Sequence, residues 1–273
     1  MPRQVVPEKR YDVTPAFLKQ IKERGCEINV HDLCHDGNLF RTRDEFLRRA
    51  GKINSYLKKF DAQGFRSGAL YRNLQWFDAL KCSYDMSVPN VGHLDAQTGG
   101  CCTVMPYFVG KILEIPVTTT QDYSLFHILN SYSTVLWEEQ CRLILAGHGM
   151  ISLIVHPDYI ISKKSNNTYR RLLAYLAQLR EKMFVWAALP REINKWWRVR
   201  SELKLVADGL GWRIEGEGKD RARVAYAHLA DGQLKYSFEA SLMPRPQTET
   251  NARDMHSKGI SGLQRSPDSV TTS

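Results

Sequence analysis

Apolar residues along this chain alternate between short continuous runs and longer stretches with helical spacing, a pattern that predicts an α/β architecture. A first helix is predicted over Pro15 to Arg24, with Thr14 as cap, Pro15 at the first helical position and Gly25 as terminator. Glu27-Ile-Asn-Val30 reads as a strand ending in His31. A second helix starts at the capping box Thr42-Arg-Asp-Glu45, with Phe46, Leu47, Ala50, Ile53 and Leu57 as its apolar stripe. Further strands are expected over 64–70, 82–88, 112–118, 150–155 and 184–188, and Pro116 marks the third of these as an edge or irregular strand. Further helices are expected over 74–80, 134–146 and 166–182, and from Pro190 through Trp196 and Trp197 to Leu205.

The pattern changes after Gly211. Residues 212–215, 222–229 and 234–238 alternate like small strands, with Asp231-Gly232 as a hairpin turn. From about Met243 the chain is polar and rich in Ser, Thr, Pro and Arg, the composition of a disordered tail. The expected organisation is a main domain over 1–210, a small β-rich extension over 211–242 and a tail over 243–273, with no internal repeat.

A chain of 273 residues, 43% hydrophobic and 25% charged, can bury one large core or a main domain with an appendage. No apolar run reaches the roughly 18 residues of a membrane span. The stretch from Met1 to Arg10 lacks the apolar segment of a signal peptide, and the six cysteines show no C-x-x-C spacing. A reducing, cytoplasmic setting is therefore expected. The net charge of +9 invites a nucleic-acid partner. However, the basic residues (Arg48-Arg49, Lys58-Lys59, Arg170-Arg171, Arg198, Arg200) are spread along helices and alternate with acids. Solvated helix surfaces are expected instead, with no nucleic-acid partner; attraction to anionic lipid headgroups stays compatible with the charge.

The segment Glu27-Ile-Asn-Val-His31-Asp-Leu-Cys-His35-Asp-Gly37 carries the sharpest chemical signal. Two histidines four apart can place both imidazoles on one divalent ion. A metalloprotease would use H-E-x-x-H on a long helix. Here Asp32 follows the first histidine, and Asp36-Gly37 opposes a helix, so a loop at the end of a strand fits better. The structural alternative is a pair of histidines hydrogen-bonded within the fold.

At this point the chain resembles the polysaccharide deacetylases (carbohydrate esterase family four, the NodB-like group). Their second motif, E-I-x-x-H-[ST]-x-x-H, matches Glu27 to His35 except at Asp32. Gly64-Phe-Arg66-Ser-Gly68 looks like the third motif without its proline and aromatic residue, and Tyr84-Asp85 looks like the fourth. Leu153-Ile-Val-His156-Pro-Asp158 looks like the fifth, an apolar strand ending in the general-acid histidine. The resemblance runs from about Tyr11 to Glu202. It implies a deformed (β/α)7-type barrel with a small C-terminal β-rich appendage. It also implies His31 and His35 as ligands of a divalent metal, Zn²⁺ first among them. His156, Arg66 and Asp85 are then the catalytic residues, Arg66 pairing with a carboxylate in the site and Asp85 holding Arg66 or a histidine.

The family's first motif, an aspartate segment that ends strand one, has no counterpart before His31. The barrel is thus expected to be incomplete at its N-terminus, either by truncation or by loss of catalysis. Asp36, beside His35, is the best local substitute for the third ligand, ahead of Asp12 and Asp32. The implied function is metal-dependent hydrolysis of N-acetyl, or O-acetyl, groups on a polysaccharide or lipid-linked sugar. The alternatives are a catalytically inactive carbohydrate-binding protein and a hydrolase of another non-peptide C–N bond. Tyr71, Trp76, Tyr107 and Tyr123 are candidates for stacking on sugar rings.

Overall fold

A computed structural model describes residues 14–91, 100–209 and 211–238. The predicted disordered tail, Asp12 and the start of the family resemblance lie outside these residues. Thr14 Oγ1 accepts a hydrogen bond from Phe17 N at 3.3 Å and opens helix α1 (Pro15–Glu23). Strand β1 (Val30–His31) follows, then helix α2 (Arg43–Phe60). Thr42 Oγ1 accepts from Glu45 N at 3.2 Å, but the Glu45 carboxylate pairs with Arg48 and Arg49. The predicted capping box is therefore half formed. Phe46, Ala50, Ile53 and Leu57 are buried, as expected, whereas Leu47 is 46% exposed. Spacings of four, seven and eleven residues from Phe46 share one helix face, and a spacing of one does not.

The strands β2 (Gly64–Arg66), β3 (Tyr84–Asp85), β4 (Tyr107–Val109) and β5 (Ile112–Glu114) complete a five-stranded sheet in the order β1-β2-β3-β5-β4. All pairs are parallel except β4 with β5. The expected α/β class with a parallel sheet is thus present, and β1 and β4 end the sheet among the described residues. Strand β5 lies inside the sheet, covered by the unpredicted β4, and stops before Pro116; one isolated bridge, Pro89 with Val117, prolongs the pairing of β3 and β5.

Two predicted strands are not strands. Residues 150–155 run alongside 118–122, with Thr118 N and Thr119 N both donating to Ser152 O at 3.2 Å. Ser152 N donates instead to the Thr118 hydroxyl at 2.8 Å, so a side chain replaces a rung of the ladder. Residues 184–188 also form no strand, because Phe184, at φ 54°, ends helix α4 (Lys163–Met183) in the left-handed conformation.

Helix α2 covers β1 and β2 through a core that includes Phe46, Ile53, Leu57, Phe65 and Phe77, each contributing about 1.5–3 kcal/mol by burial. Helices α3 (Val135–Ala146) and α4 pack around Leu125, Phe126, Trp137 and Leu172. Helix α5 (Pro190–Ser201) lays Ile193 and Trp197 against Tyr84, Leu113 and Ile115. Its Arg198 donates to the carbonyls of Ser83 (2.7 Å) and Lys111 (2.8 Å), immediately before β3 and β5. Glu27 accepts from Arg191 N at 3.1 Å and from the Tyr84 hydroxyl. Helix α5 is thus fastened to the N-terminal ends of the strands. Arg198 and the buried Arg49 are therefore structural, not part of a solvated face as predicted.

The chain divides after Ser201, where the sequence pattern places the change after Gly211. Leu205, expected in the preceding helix, lies in strand β6 (Lys204–Asp208), which pairs with β7 (Gly211–Glu215). Strands β8 (Ala225–Ala230) and β9 (Gln233–Phe238) form a second hairpin. Asp231 (φ 55°) and Gly232 (φ 73°) make its turn, as predicted.

Candidate functional site

His31 ends β1 and Arg66 ends β2 as register partners, so both emerge at the C-terminal edge of the parallel sheet. There they line a cavity of about 200 Å³ together with His35, Gln121, Tyr123, His156 and Tyr159. His31 and His35, four residues apart, and the distant His156 thus face one space. Backbone in the left-handed region surrounds it: Asp32 (φ 55°), His35 (φ 48°), Ala69 (φ 52°) and Leu70 (φ 58°). Such conformations in residues other than glycine cost on the order of 1 kcal/mol each and concentrate at functional sites. The Asp32 carboxylate braces the turn, accepting from Leu33 N at 2.6 Å and from Gly68 N at 3.1 Å. It is committed to the backbone and is 5% exposed.

The rings of His31 and His35 lie 5.0 Å apart, edge to face. His31 Nδ1 is 3.1 Å from the Arg66 carbonyl oxygen. A carbonyl only accepts, so Nδ1 carries the proton and Nε2 keeps its lone pair, the form a metal ligand needs. Part of the His31 ring is open to water, yet the surrounding protein removes enough hydration to lower its pKa below the usual 6.5. The positive charges of Arg66 and His35 act in the same direction. These two imidazoles fit two corners of the coordination shell of a Zn²⁺-like ion. No group of three His, Cys, Asp or Glu side chains comes together for a metal among the described residues.

Asp36, the expected substitute ligand, is spent elsewhere. Its two oxygens accept from Arg49 at 2.7 and 2.8 Å, and Oδ1 also accepts from Asn38 N at 2.9 Å. The Arg49 bonds hold its carboxyl well below the usual carboxylate range.

His156 is held rigidly. Its Nδ1 lies 2.7 Å from Asp122 Oδ1, and its backbone N donates to Asp122 Oδ2 at 2.6 Å. Asp122 is fully buried and also accepts from Tyr123 N at 2.8 Å. With three donors around one carboxylate, His156 Nδ1 carries the proton and Nε2 is the free nitrogen. Tyr159 packs on the same imidazole at 4.8 Å between ring centroids, and Tyr123 and His127 pack on Tyr159.

Asp85 does not line the cavity. Fully buried, it accepts from Ser87 N (2.9 Å) and Ser87 Oγ (2.8 Å) beside the equally buried Glu114. Burial raises the pKa of both carboxyls, and the Asp85 charge raises Glu114 further, so Glu114 is the one of the pair that favours holding a proton. The negative charge of Asp85 favours the cationic form of Arg66 against its own loss of hydration. The residue that holds a histidine is therefore Asp122 and not the expected Asp85, which reaches Arg66 through charge alone. Nor does Arg66 pair with a carboxylate among the described residues; its Nε is buried without a hydrogen-bond partner.

Asp122, Gln121 and Tyr159 were not singled out by the sequence. A signal for Asp122 exists: an aspartate closing the polar run Thr118-Thr-Thr-Gln after an apolar strand. Of the aromatic candidates, Tyr123 lines the cavity. Trp76 packs on Phe40 and Phe46, Tyr107 lines a different cavity, and Tyr71 lies against Gly37.

No helix is long and apolar enough to cross a membrane among the described residues. No protein-family model matches the chain. No curated protein matches it. Among solved structures it is similar to one described as “putative polysaccharide deacetylase from Mycobacterium smegmatis”, with 17% identity over 72% of each chain and a TM-score of 0.54. At that identity the likeness shows the fold alone, and the chain shares the deacetylase-like fold.

Proposed function

We propose that the cavity is the hydrolytic centre of a metal-dependent deacetylase acting on an N-acetylated, or less favourably O-acetylated, amino sugar. The fold around it reads as part of a deformed (β/α)7-type barrel. The observation that carries this reading is the meeting of His31, His35 and His156 in one cavity, with Asp122 behind the third. A Zn²⁺ ion on His31 and His35 would supply a water of pKa near ~7 and polarise the acyl carbonyl.

The chain's own residues do the rest. His156 Nε2, its lone pair free on a ring fixed through Nδ1 to Asp122, would take up the proton released as water adds to the acyl carbon and pass it to the departing nitrogen. Arg66 brings a cationic donor group to the cavity wall, where negative charge builds on the acyl oxygen. Tyr123 and Tyr159 offer ring faces to a sugar. One observation favours a second reading: no Asp or Glu is among the described residues lining the cavity, which suits a sugar-binding protein without turnover.

The test measures bound zinc per chain and acetate released from N-acetylchitooligosaccharides. About one zinc per chain is expected, lost in both His31→Ala and His35→Ala. His156→Ala should keep the metal and lower kcat by about 10²–10⁴-fold. Asp122→Asn, which scrambles the ring's hydrogen bond, should lower it by tenfold or more. Acetate release unchanged in His31→Ala and His156→Ala would overturn the proposal. Sugar binding without any release supports the second reading.

A further inference from the structure

A second cavity, about 450 Å³, opens beside the first, a size typical of a ligand pocket. Its apolar lining includes Val104, Val117, Ile128, Leu129, Leu143 and Ile144. Four of the polar residues in its wall are bonded within the protein, while Asn90, Gln121 and Ser124 also line it. The Thr118 hydroxyl donates to Met150 O at 2.9 Å and the Thr119 hydroxyl to Ser152 O at 3.0 Å. Gln140 accepts from Thr120 N at 3.0 Å and donates to the Thr120 hydroxyl at 2.9 Å. What these side chains leave for an occupant is mostly hydrocarbon. Leu143 and Leu129 are nonetheless 56% and 54% exposed, an apolar surface open to an occupant.

Gln121 lines both cavities, so the groove adjoins the histidine site at this residue. The junction has a side. Gln121 precedes Asp122, the partner of His156, and so lies at the general-acid end of the site. His31 and Arg66, at the ends of β1 and β2, and His35, in the loop after β1, come from the other wall. In the proposed reaction the acyl carbonyl belongs with the imidazole pair, and the departing nitrogen belongs with His156.

We propose that the groove takes a hydrocarbon arm carried on the leaving-amine side of the substrate. The substrate class is then an amphiphile, an acylated amino sugar joined to an aliphatic chain. This rests on the hydrolytic reading of the histidine cavity and narrows its substrate. A free polysaccharide would leave the apolar walls in water; an aliphatic aglycone would cover them.

The experiment compares methyl and octyl glycosides of N-acetylglucosamine, both below the micelle concentration, by acetate release. The octyl glycoside should show kcat/KM higher by on the order of tenfold or more, chiefly through a lower KM. Leu143→Asp should bring the octyl-to-methyl ratio toward one. Equal kcat/KM for the two glycosides would overturn the groove while leaving the hydrolytic site standing. Preference for an N-octanoyl methyl glycoside over the N-acetyl octyl glycoside would also overturn it, because the acyl group would then fill the groove. If neither glycoside is hydrolysed, the hydrolytic reading fails and binding decides the groove. Calorimetric binding of octyl but not methyl glycoside, weakened tenfold by Leu143→Asp, supports it, and equal binding of both overturns it.

Discussion

The residue that governs the His35 turn touches neither imidazole. Asp36 follows His35 directly and ties the loop to α2 through two bonds to Arg49, whose own side chain is 7% exposed. Removing the carboxylate leaves a buried guanidinium with Glu45 as its remaining acid partner. Asp36→Asn should therefore destabilise the protein by about 1 kcal/mol, the low end for charged hydrogen bonds, because Asp36 keeps 36% of its side-chain surface in water. The loop should loosen as well, so zinc affinity should fall severalfold although no ligand has changed. Urea unfolding and a competitive zinc titration check the two effects; unchanged values in both would show that the ion pair does not hold the turn. The His31–His35 pair was legible in the sequence because four residues carry both rings. Asp122 and His156 are 34 positions apart, and nothing in spacing announces their bond. Asp85 and Asp122 each follow a strand-like run, and only the course of the chain decides which one meets a histidine.

At the scale of elements, β2 and β3 come together only because one residue has no side chain. Gly64 pairs with Tyr84 in register, and a Cβ on Gly64 would overlap the Tyr84 ring. That ring cannot swing away: it is fully buried, and its hydroxyl is held by Glu27 and by Asn29 at 2.7 Å. Gly64→Ala should cost about 1–3 kcal/mol, the usual range for overpacking. Thermal unfolding should show it as a lowered Tm, and a Tm equal to that of the natural chain would mean the sheet yields there. The same contrast explains which elements the sequence revealed. Helices α1 and α2 were legible because caps and periodic stripes are local features. The strands here are two or three residues long in the main sheet, and each is defined by its neighbour. Residues 150–155 have strand composition but lose a rung to the Thr118 hydroxyl, while β4, unpredicted, is created by its antiparallel pairing with β5.

For the whole molecule, the groups with displaced pKa values set how stability varies with pH, and they act in opposite windows. His31, lowered in the folded state, resists a proton that the unfolded chain takes up below about 6.5, so its contribution falls as the solution turns acid. Glu114, raised in the folded state, keeps a proton that the unfolded chain releases above about 4.5, so its contribution falls as pH rises. Asp85 moves in the same direction as Glu114. One proton retained in this way costs at most about 1.4 kcal/mol per pH unit. Glu114→Gln keeps an acceptor for Val88 N, which Glu114 Oε1 holds at 2.9 Å, and replaces the protonated oxygen with an amide that needs no proton. The variant should therefore gain stability relative to the natural chain as pH rises. Between pH 5.5 and 8, the difference in unfolding free energy should shift toward the variant. The His31 contribution is common to both chains and cancels in that difference. Urea unfolding at the two pH values measures it, and a difference that stays constant would mean Glu114 is ionised in the fold and that Arg66 faces two negative charges instead of one.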